Sequence, residues 1–365
     1  MKVAILTSSR ADYSIYYPLL RQLNTDSFFQ LNIIAFGSHL SKKFGSTIDQ
    51  ILLDKFEVKA KIETVPSDNS PSDISKSIGE TIIKFSEFWK KNSYDLVFCL
   101  GDRYEMFAAC AASIPFNIKL AHIHGGEKTL GAIDDCFRHS ITHMASIHFT
   151  ASLAYYQRVI DLKQSSHQVY NVGALSFDNI KNTSFLSLDE FYYKHKIDLN
   201  KKSILITFHP ETVSFEKNFK YVETLIDVLN ELEGYQYIIT MPNSDTMGNL
   251  VREKLNLFIE TTPNSFGIES FGNTAYLTCM KYCSFLLGNT SSGFIEASYF
   301  SKPVINLGDR QKGRIVTPNI INCEIKKEQI IEAINKIQYL NDLDKTIIYG
   351  DGNTAEKIIS IIKSI

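Results

Sequence analysis

The chain has 365 residues, of which 44% are hydrophobic and 21% are charged, and its formal net charge is -2 at pH 7. This length suits about two globular domains, and the balanced charge argues against nucleic acid and anionic membranes as partners. No apolar run approaches the ~20 residues that a membrane span needs. The six cysteines are scattered, several of them inside apolar runs, which is typical of free thiols in a reducing compartment. We therefore expect a cytoplasmic protein.

Short β-branched, apolar runs alternate with helical stretches through the first half of the chain. Strands are predicted at residues 2–7, 31–36, 62–65, 94–100, 118–123, 147–150 and 168–172. Helices are predicted at residues 16–23, 44–55, 74–91, 105–113 and 154–161, with a further helix that carries Arg138 and His143. This alternation is typical of a doubly wound parallel sheet.

The same alternation begins again after a connection at residues 173–182. Strands are predicted at residues 203–208, 237–241, 285–287 and 304–307, and helices at 219–232, 247–257, 274–281, 294–299 and 354–363. We predict an α/β protein with two Rossmann-like domains, residues 1–174 and 175–351, that face each other across a cleft. The C-terminal helix, within residues 352–365, is expected to pack back on the first domain.

Carboxylates follow the predicted strands of the first domain. Asp102 comes directly after one strand, and Glu127, Asp134 and Asp135 follow the next. In open parallel sheets ligands bind beyond the carboxyl ends of the strands, and carboxylates crowded in a partly dry cleft can act as general acids or bases. His209 ends the first strand of the second domain and could face the same cleft. Alternatively, each acid is a helix cap or one half of an ion pair.

Histidines near these acids offer a metal site as an alternative. His122 and His124 share one face of a strand, and His139 and His143 share one face of a helix. Neutral imidazoles together with carboxylates can bind a divalent metal. The HExxH spacing is absent, however, and histidine pairs on helices are more often packed and hydrogen-bonded. We therefore expect no metal.

The second domain carries a turn that suits a diphosphate. Residues 288–293, Gly-Asn-Thr-Ser-Ser-Gly, lead directly into a predicted helix, whose first N–H groups favour an anion. Arg310 and Arg314 follow the next strand and could supply fixed positive charge, and Glu296 could accept from a ribose diol. Arg10, among hydroxyls at the start of the first helix, is a second anion-binding candidate. A capped helix with nothing bound is the alternative, and the missing P-loop pattern argues against ATP hydrolysis.

Taken together, these motifs resemble a known family. The sequence resembles the hydrolysing UDP-N-acetylglucosamine 2-epimerases of bacterial sialic-acid pathways. The similar segments span nearly the whole chain in the same order: SSRADYS (8–14), LGDRYE (100–105), HIHGGEKT (122–129), AIDDCFRHSITHM (132–144), FHPET (208–212), GNTSSGFIE (288–296), PVINLGDRQKGR (303–314) and IYGDGN (348–353). The resemblance implies a GT-B-like fold that holds UDP mainly in its second domain.

The resemblance also implies a reaction in two steps. UDP is eliminated across C1–C2 of the sugar, and water then adds to the glycal intermediate, which yields free N-acetylmannosamine and UDP. Matched by motif, the expected catalytic residues are Asp102, Glu127, Asp134 and His209. The expected substrate- and UDP-binding residues are Arg10, Ser14, Arg103, Asp135, Asn289, Ser291, Ser292, Gly293, Glu296, Arg310 and Arg314. The resemblance implies no cofactor and a homodimer or homotetramer.

The sugar is the point that the motifs leave open. A close branch of the family hydrolyses UDP-N,N'-diacetylbacillosamine on the way to legionaminic-type sugars and shares almost all these motifs. The two substrates differ at C4 and C6, and we expect residues near Ser38, in 67–73 and in 128–130 to recognise that difference. We favour UDP-N-acetylglucosamine. A GT-B glycosyltransferase and a non-catalytic sugar-nucleotide binder are the alternatives from other classes, and simple transfer does not require the set of three acids.

Overall fold

The computed structural model describes residues 1–41, 47–64, 70–242, 245–337, 339–340 and 346–365. Residues 44–46 of a predicted helix, residue 65 of a predicted strand and residues 67–69 of a predicted specificity loop lie outside this part. No helix in the described ranges is long and apolar enough to cross a membrane. The six cysteines are free thiols.

The chain forms two compact units whose borders differ from the predicted domains. The first comprises Met1–Glu127, Asp134–Lys181 and Ile348–Ile365, and the second comprises Lys128–Ile133 and Asn182–Ile347. The first unit continues past residue 174 because Asp178 accepts hydrogen bonds from the backbone N–H groups of Thr354 (2.9 Å) and Ala355 (2.8 Å). The short segment 128–133 leaves the first unit and packs on the second, which the prediction of a continuous domain over residues 1–174 did not foresee.

The first unit is built on a parallel sheet of seven strands. They are β1 (Lys2–Thr7), β2 (Gln30–Phe36), β3 (Val58–Ile62), β4 (Leu96–Leu100), β5 (Leu120–Ile123), β6 (Ile147–Thr150) and β7 (Val169–Asn171), in the spatial order β3-β2-β1-β4-β5-β6-β7. The central strand β4 is apolar along its whole length because helices cover both faces of such a sheet, and every one of its residues is buried.

Helices connect these strands. They are α1 (Arg10–Thr25), α2 (Ile48–Leu53), α3 (Pro71–Trp89), α4 (Tyr104–Ser113), α5 (Asp134–Met144), α6 (Leu153–Lys163), α7 (Leu175–Asn182) and the final helix of the chain, α14 (Thr354–Ser364). Ile358 and Ile362 of α14 lie in the same apolar core as Tyr16 and Leu20 of α1. The C-terminal helix is therefore part of the first unit's core.

The second unit repeats the design with six parallel strands. They are β8 (Ser203–Thr207), β9 (Gln236–Thr240), β10 (Ser265–Ile268), β11 (Phe285–Gly288), β12 (Val304–Leu307) and β13 (Ile320–Cys323), in the order β10-β9-β8-β11-β12-β13. Its helices are α8 (Leu188–His195), α9 (Asn218–Glu231), α10 (Gly248–Thr261), α11 (Gly272–Tyr282), α12 (Glu296–Tyr299) and α13 (Lys327–Ile337). The sequence did not predict β10 or β13, since these edge strands are partly exposed and lack a continuous apolar run.

Both sheets reverse their strand order at one point. This switch lies between β1 and β4 in the first unit and between β8 and β11 in the second, and ligands of doubly wound folds bind beyond the strand ends at this position. At the second switch Gly288 has a φ of 143°, and a Cβ there would lie 2.0 Å from the carbonyl oxygen of Thr207. Only glycine lets the two strands pair so closely where β11 ends.

Candidate active site

One arginine joins the strand ends of the first unit. Arg138 on α5 donates through Nη2 to Oδ2 of Asp102, which follows β4, and through Nη1 to the carbonyl oxygen of His124 at 2.8 Å. The same Nη1 lies 3.6 Å from Oε2 of Glu127. The Arg138 side chain is 2% exposed. A buried guanidinium thus binds both candidate acids and the loop between β5 and Glu127.

Glu127 and Asp102 differ in their surroundings. The Glu127 side chain is 2% exposed, and its Oε1 lies 2.6 Å from Nδ1 of His124. His124 has a φ of 65°, a left-handed conformation that costs a non-glycine residue about 1–2 kcal/mol and that clusters at functional sites. The Asp102 side chain is 21% exposed. Asp102 is therefore the more accessible of the two carboxylates.

His122 and His148 are buried in neighbouring strands. Nε2 of His122 lies 2.8 Å from the carbonyl oxygen of Gly101, so this nitrogen carries the proton and holds the residue before Asp102. Burial lowers the pKa of His122 to about 3 and that of His148 to about 4, so both rings are neutral at pH 7. Among the residues that the structure describes, no three histidine, cysteine or carboxylate side chains are grouped to hold a metal ion.

The two other candidate acids begin α5. Asp134 and Asp135 are its first residues, and both are half-buried. Oδ2 of Asp135 lies 3.5 Å from Nε2 of His139, one turn further along the helix. Asp135 thus lies beside a histidine of its own helix. Asp134 remains the candidate for chemistry.

At the start of α1, serine groups bind a carboxylate of the same helix. The carboxylate of Asp12 is buried and accepts bonds from the backbone N–H of Ser8 (2.6 Å) and from the hydroxyls of Ser8 (2.9 Å) and Ser9. These hydroxyls, which were expected to face an anion, therefore bind a carboxylate of the chain itself. Arg10 is the first residue of α1, and the carbonyl oxygen of Ser14 accepts from Asn179 at 2.5 Å.

Arg103, a predicted UDP contact, forms a two-pronged pair inside the first unit. Its Nε and Nη2 lie 3.2 and 3.1 Å from the two carboxylate oxygens of Glu105. The Glu105 side chain is buried. This bidentate geometry fixes the orientation of the guanidinium.

In the second unit, amide side chains join three strand-end loops. Asn289 accepts from the backbone N–H of His209 at 2.7 Å and donates to its carbonyl oxygen at 2.8 Å. Gln311 donates to the carbonyl oxygen of Asn289 at 2.8 Å and accepts from Nε of Arg314 at 2.5 Å. His209, the turn after β11 and Arg314 therefore belong to one hydrogen-bonded network of buried residues.

The turn after β11 is tighter than predicted. Residues Ser291–Gly293 form a 3₁₀ turn, and α12 has only the four residues Glu296–Tyr299, whereas the sequence predicted one helix over 294–299. The reason is local: Oγ1 of Thr290 accepts from the N–H of Ser292 at 3.4 Å, and the chain closes with bonds from Gly293 to Thr290 and from Phe294 to Ser291. The hydroxyl of Ser292 lies 2.5 Å from that of Tyr276.

Arg310 and Arg314 have different environments. Nη2 of Arg310 donates to Asp245 at 2.8 Å, and its Nη1 donates to the carbonyl oxygen of Pro210. Oε1 of the buried Glu211 accepts from the N–H of Asp309 at 2.7 Å, and burial raises the pKa of Glu211. Arg310 therefore fixes the loop after β12 against Pro210 and Asp245, whereas Arg314 binds Gln311 of its own loop.

Comparisons with known proteins identify the family. The family model described as UDP-N-acetylglucosamine 2-epimerase matches residues 21–363. The chain belongs to the UDP-N-acetylglucosamine 2-epimerase family. Its relatives include the GDP/UDP-N,N'-diacetylbacillosamine 2-epimerase (hydrolyzing) of Campylobacter jejuni, 35% identical over 92% of this chain and 87% of that protein. The UDP-N,N'-diacetylbacillosamine 2-epimerase (hydrolyzing) of Legionella pneumophila is 33% identical over 100% of this chain and 96% of that protein.

Solved structures of this 2-epimerase family share the fold. The UDP-GlcNAc 2-epimerase of Methanocaldococcus jannaschii, in complex with UDP-GlcNAc and UDP, matches with a TM-score of 0.84 at 17% identity over 100% of both chains. The enzyme of Neisseria meningitidis bound to UDP-GlcNAc matches with a TM-score of 0.83 at 17% identity, also over 100% of both chains. The predicted family, the two α/β parallel-sheet domains and the enzyme class are confirmed, while the cleft between the domains stays a prediction.

The sequence analysis missed three residues of this 2-epimerase that organise its site. Arg138 was named only as part of a helix, although it lies one turn after Asp134 on a face that turns inward. His124 was weighed as a metal ligand and not as a partner of Glu127, three residues away. Gln311 was passed over because neutral amides carry no charge signal. Its position between two arginines of a strand-end loop was the available hint.

Proposed function

We propose that this protein is a hydrolysing UDP-sugar 2-epimerase whose substrate is UDP-N,N'-diacetylbacillosamine. The observation that carries this proposal is the similarity to the Campylobacter and Legionella enzymes named for that activity, at 35% and 33% identity over at least nine-tenths of the chain. This reverses the preference for UDP-N-acetylglucosamine that the motifs alone suggested. The products would be UDP and a free diacetamido sugar with inverted configuration at C2.

The proposed chemistry needs two carboxylates near the sugar. In the first step a carboxylate takes the proton from C2, the C1–O bond breaks with its electron pair leaving on the β-phosphate of UDP, and a C1–C2 double bond forms. In the second step water adds its oxygen to C1 while C2 is protonated. Asp102 and Glu127, both bound by Arg138, are the pair that we assign to these proton transfers.

His124 and Arg138 would keep this pair in place. Nδ1 of His124 binds one oxygen of Glu127, and Arg138 lies against the other. Well-oriented catalytic groups lower the barrier because their positioning is complete before the reaction begins. Asp134 and His209, matched by motif, are further candidates for activating water or orienting the sugar.

We assign UDP to the second unit. Arg314 and the serine hydroxyls of the turn Ser291–Gly293 are suited to phosphate oxygens, and Glu296 is the candidate partner of the ribose. Asn289 would act by fixing this turn against His209. Arg310 is assigned to the support of the loop and not to the nucleotide.

UDP-N-acetylglucosamine is the second candidate substrate. The UDP-N-acetylglucosamine 2-epimerase of Neisseria meningitidis is 25% identical over 100% of this chain and 95% of that protein, so relatives named for either sugar match nearly the whole chain. Residues 67–69, predicted to recognise C4 or C6, lie outside the described part of the chain. The choice between the sugars therefore depends on a direct measurement.

The test is a competition between the two sugar nucleotides at equal concentration, with release of each free sugar followed by mass spectrometry. We expect kcat/KM for UDP-N,N'-diacetylbacillosamine to exceed that for UDP-N-acetylglucosamine by at least about 100-fold, since buried polar contacts discriminate strongly between groups that pair and groups that do not. A preference for UDP-N-acetylglucosamine would transfer the assignment to the second candidate. Release of neither sugar would overturn the proposed reaction.

A further inference from the structure

The segment 128–133 is held on the second unit by an array of backbone contacts. The carbonyl oxygen of Gly131 accepts from the N–H groups of Thr212 (3.2 Å) and Val213 (3.4 Å), and the N–H of Leu130 donates to the carbonyl oxygen of Lys312 at 3.0 Å. One side chain completes the array: Oγ1 of Thr212 accepts from the N–H of Ile133 at 2.9 Å. Thr212 is 6% exposed.

Glycines make this packing possible. A Cβ on Gly131 would lie 2.5 Å from the carbonyl carbon and oxygen of Asp309, so any larger residue would push the segment off the loop after β12. Gly313, with a φ of 94°, approaches Lys128 so closely that a Cβ there would lie 2.8 Å from the Cβ of Lys128. The segment therefore packs backbone to backbone against the loop that carries Arg310, Gln311 and Arg314.

The two residues that flank this segment are candidate acids. Glu127 precedes residue 128 and Asp134 follows residue 133, and both belong to the first unit. The segment has only six residues, so its attachment limits where its two ends can lie. A hydroxyl that fixes Ile133 acts on the residue bonded directly to Asp134.

We propose that Thr212 is a positioning residue of the reaction, whose hydroxyl fixes the segment 128–133 and through it the carboxylates of Glu127 and Asp134. This proposal depends on the proposed function. Thr212 touches neither carboxylate, so its effect belongs to turnover and not to the affinity for UDP. A displacement of about 1 Å in a catalytic group can lower a rate by about 100-fold, and the loss of one positioning bond is expected to fall within that range.

The test compares Thr212→Val, which removes the hydroxyl and keeps the shape, with Thr212→Ser, which restores the acceptor. We expect Thr212→Val to lower kcat by about 10- to 100-fold with an unchanged Kd for UDP, and Thr212→Ser to recover most of the rate. Hydrogen exchange at the amide of Ile133 should be faster in Thr212→Val than in the wild type. Gly131→Ala should likewise lower kcat and leave the Kd for UDP unchanged, because the added Cβ would meet the backbone of Asp309.

Thr278→Val is the matched control. Thr278 is buried in the same unit, and its hydroxyl accepts from the backbone N–H of Leu186 at 3.1 Å, in a segment that carries no candidate acid. The Thr278→Val variant loses the same kind of bond, from a backbone N–H to a threonine hydroxyl, and should keep the kcat of the wild type. An unchanged kcat in Thr212→Val, or an equal loss in Thr278→Val, would overturn the positioning role alone. A wild-type protein inactive on both UDP-sugars would overturn the proposed function as well.

Discussion

The two units use one topology for different chemistry. In both, candidate site residues follow strands at or next to the position where the strand order reverses, between β1 and β4 in one and between β8 and β11 in the other. In the first unit these loops are joined by charge, with Arg138 binding Asp102 and Glu127. In the second unit they are joined by the neutral amides of Asn289 and Gln311, which bind backbone groups. The fold therefore fixes the location of a site, and the side chains decide its chemistry.

This difference has a physical consequence. Buried carboxylates beside a guanidinium can exchange protons with a substrate, and the site loses stability if one partner is removed. Amide side chains do not titrate, so the bonds that Asn289 and Gln311 make to backbone groups need no particular protonation state of either side chain. A rigid nucleotide site in one unit and a proton-transferring site in the other suit the proposed division of labour.

The largest expected effect is a loss of turnover, without a loss of UDP binding, when either candidate acid is replaced. Asp102→Asn and Glu127→Gln should each lower kcat by about 10²- to 10⁴-fold, because each removes a group that transfers a proton. The Kd for UDP, measured by calorimetry, should stay unchanged. Glu87→Gln, which alters an exposed acid of α3, is the control. A loss of only a few-fold would remove the altered residue from the catalytic pair.

The next prediction concerns the charge that joins the first unit's loops. Arg138→Met should lower the free energy of unfolding by about 3–5 kcal/mol, because it removes the buried guanidinium that binds Asp102 and lies against Glu127. Adding Asp102→Asn and Glu127→Gln to the same protein should recover most of that loss. Urea unfolding of the single and triple variants measures both effects. If the triple variant were no more stable than Arg138→Met, the cluster would not be held by charge.

The two arginines after β12 should respond differently. Arg314→Ala should weaken UDP binding by about 10-fold or more, as expected for the loss of a hydrogen bond to a charged group. Arg310→Ala should instead lower the unfolding midpoint and keep most of the UDP affinity, because it removes the cation that pairs with the buried carboxylate of Asp245. Equal effects of the two substitutions on UDP affinity would contradict the separate roles assigned to them.

The last effect is a dependence of the free energy of unfolding on pH in the first unit. Burial lowers the pKa of His122 to about 3 and that of His148 to about 4, below the unfolded value of about 6.5. Each ring then contributes stability that is fully present above pH 6.5 and is lost as the pH falls towards its folded value, by about 1.4 kcal/mol per unit. His122→Gln should reduce this slope in urea titrations between pH 4 and 7.5, whereas exposed His167→Gln should not. If the free energy of unfolding of His122→Gln changed with pH as steeply as that of the wild type, His122 would not be a source of this pH dependence.

The sequence predicted the central elements better than the edges. Continuous apolar runs such as β4 and β8 were found because both faces of those strands are buried, whereas β10 and β13 were missed because they are partly exposed. The packing of residues 128–133 on the second unit could not be predicted. It depends on backbone contacts with Thr212 and Lys312, two residues that are distant from this segment in the chain.

The candidate site was predicted by residue type and not by partner. Asp102 and Glu127 stand out in the sequence because they follow strands. Their joint contact with Arg138 depends on how α5 lies against β4 and β5, which periodicity does not determine. Arg310 and Arg314 look alike in the sequence, and the bond from Arg310 to the buried carboxylate of Asp245 depends on the fold.

The most direct test of the account is proton NMR of the protein with UDP-N,N'-diacetylbacillosamine in D₂O. Elimination followed by hydration predicts that the released sugar is free, has inverted configuration at C2 and carries deuterium there, with UDP formed in equal amount. A released sugar that retains its C2 proton and configuration would show direct cleavage of the C1–O bond. That result would contradict the assignment of Asp102 and Glu127 to proton transfer at C2.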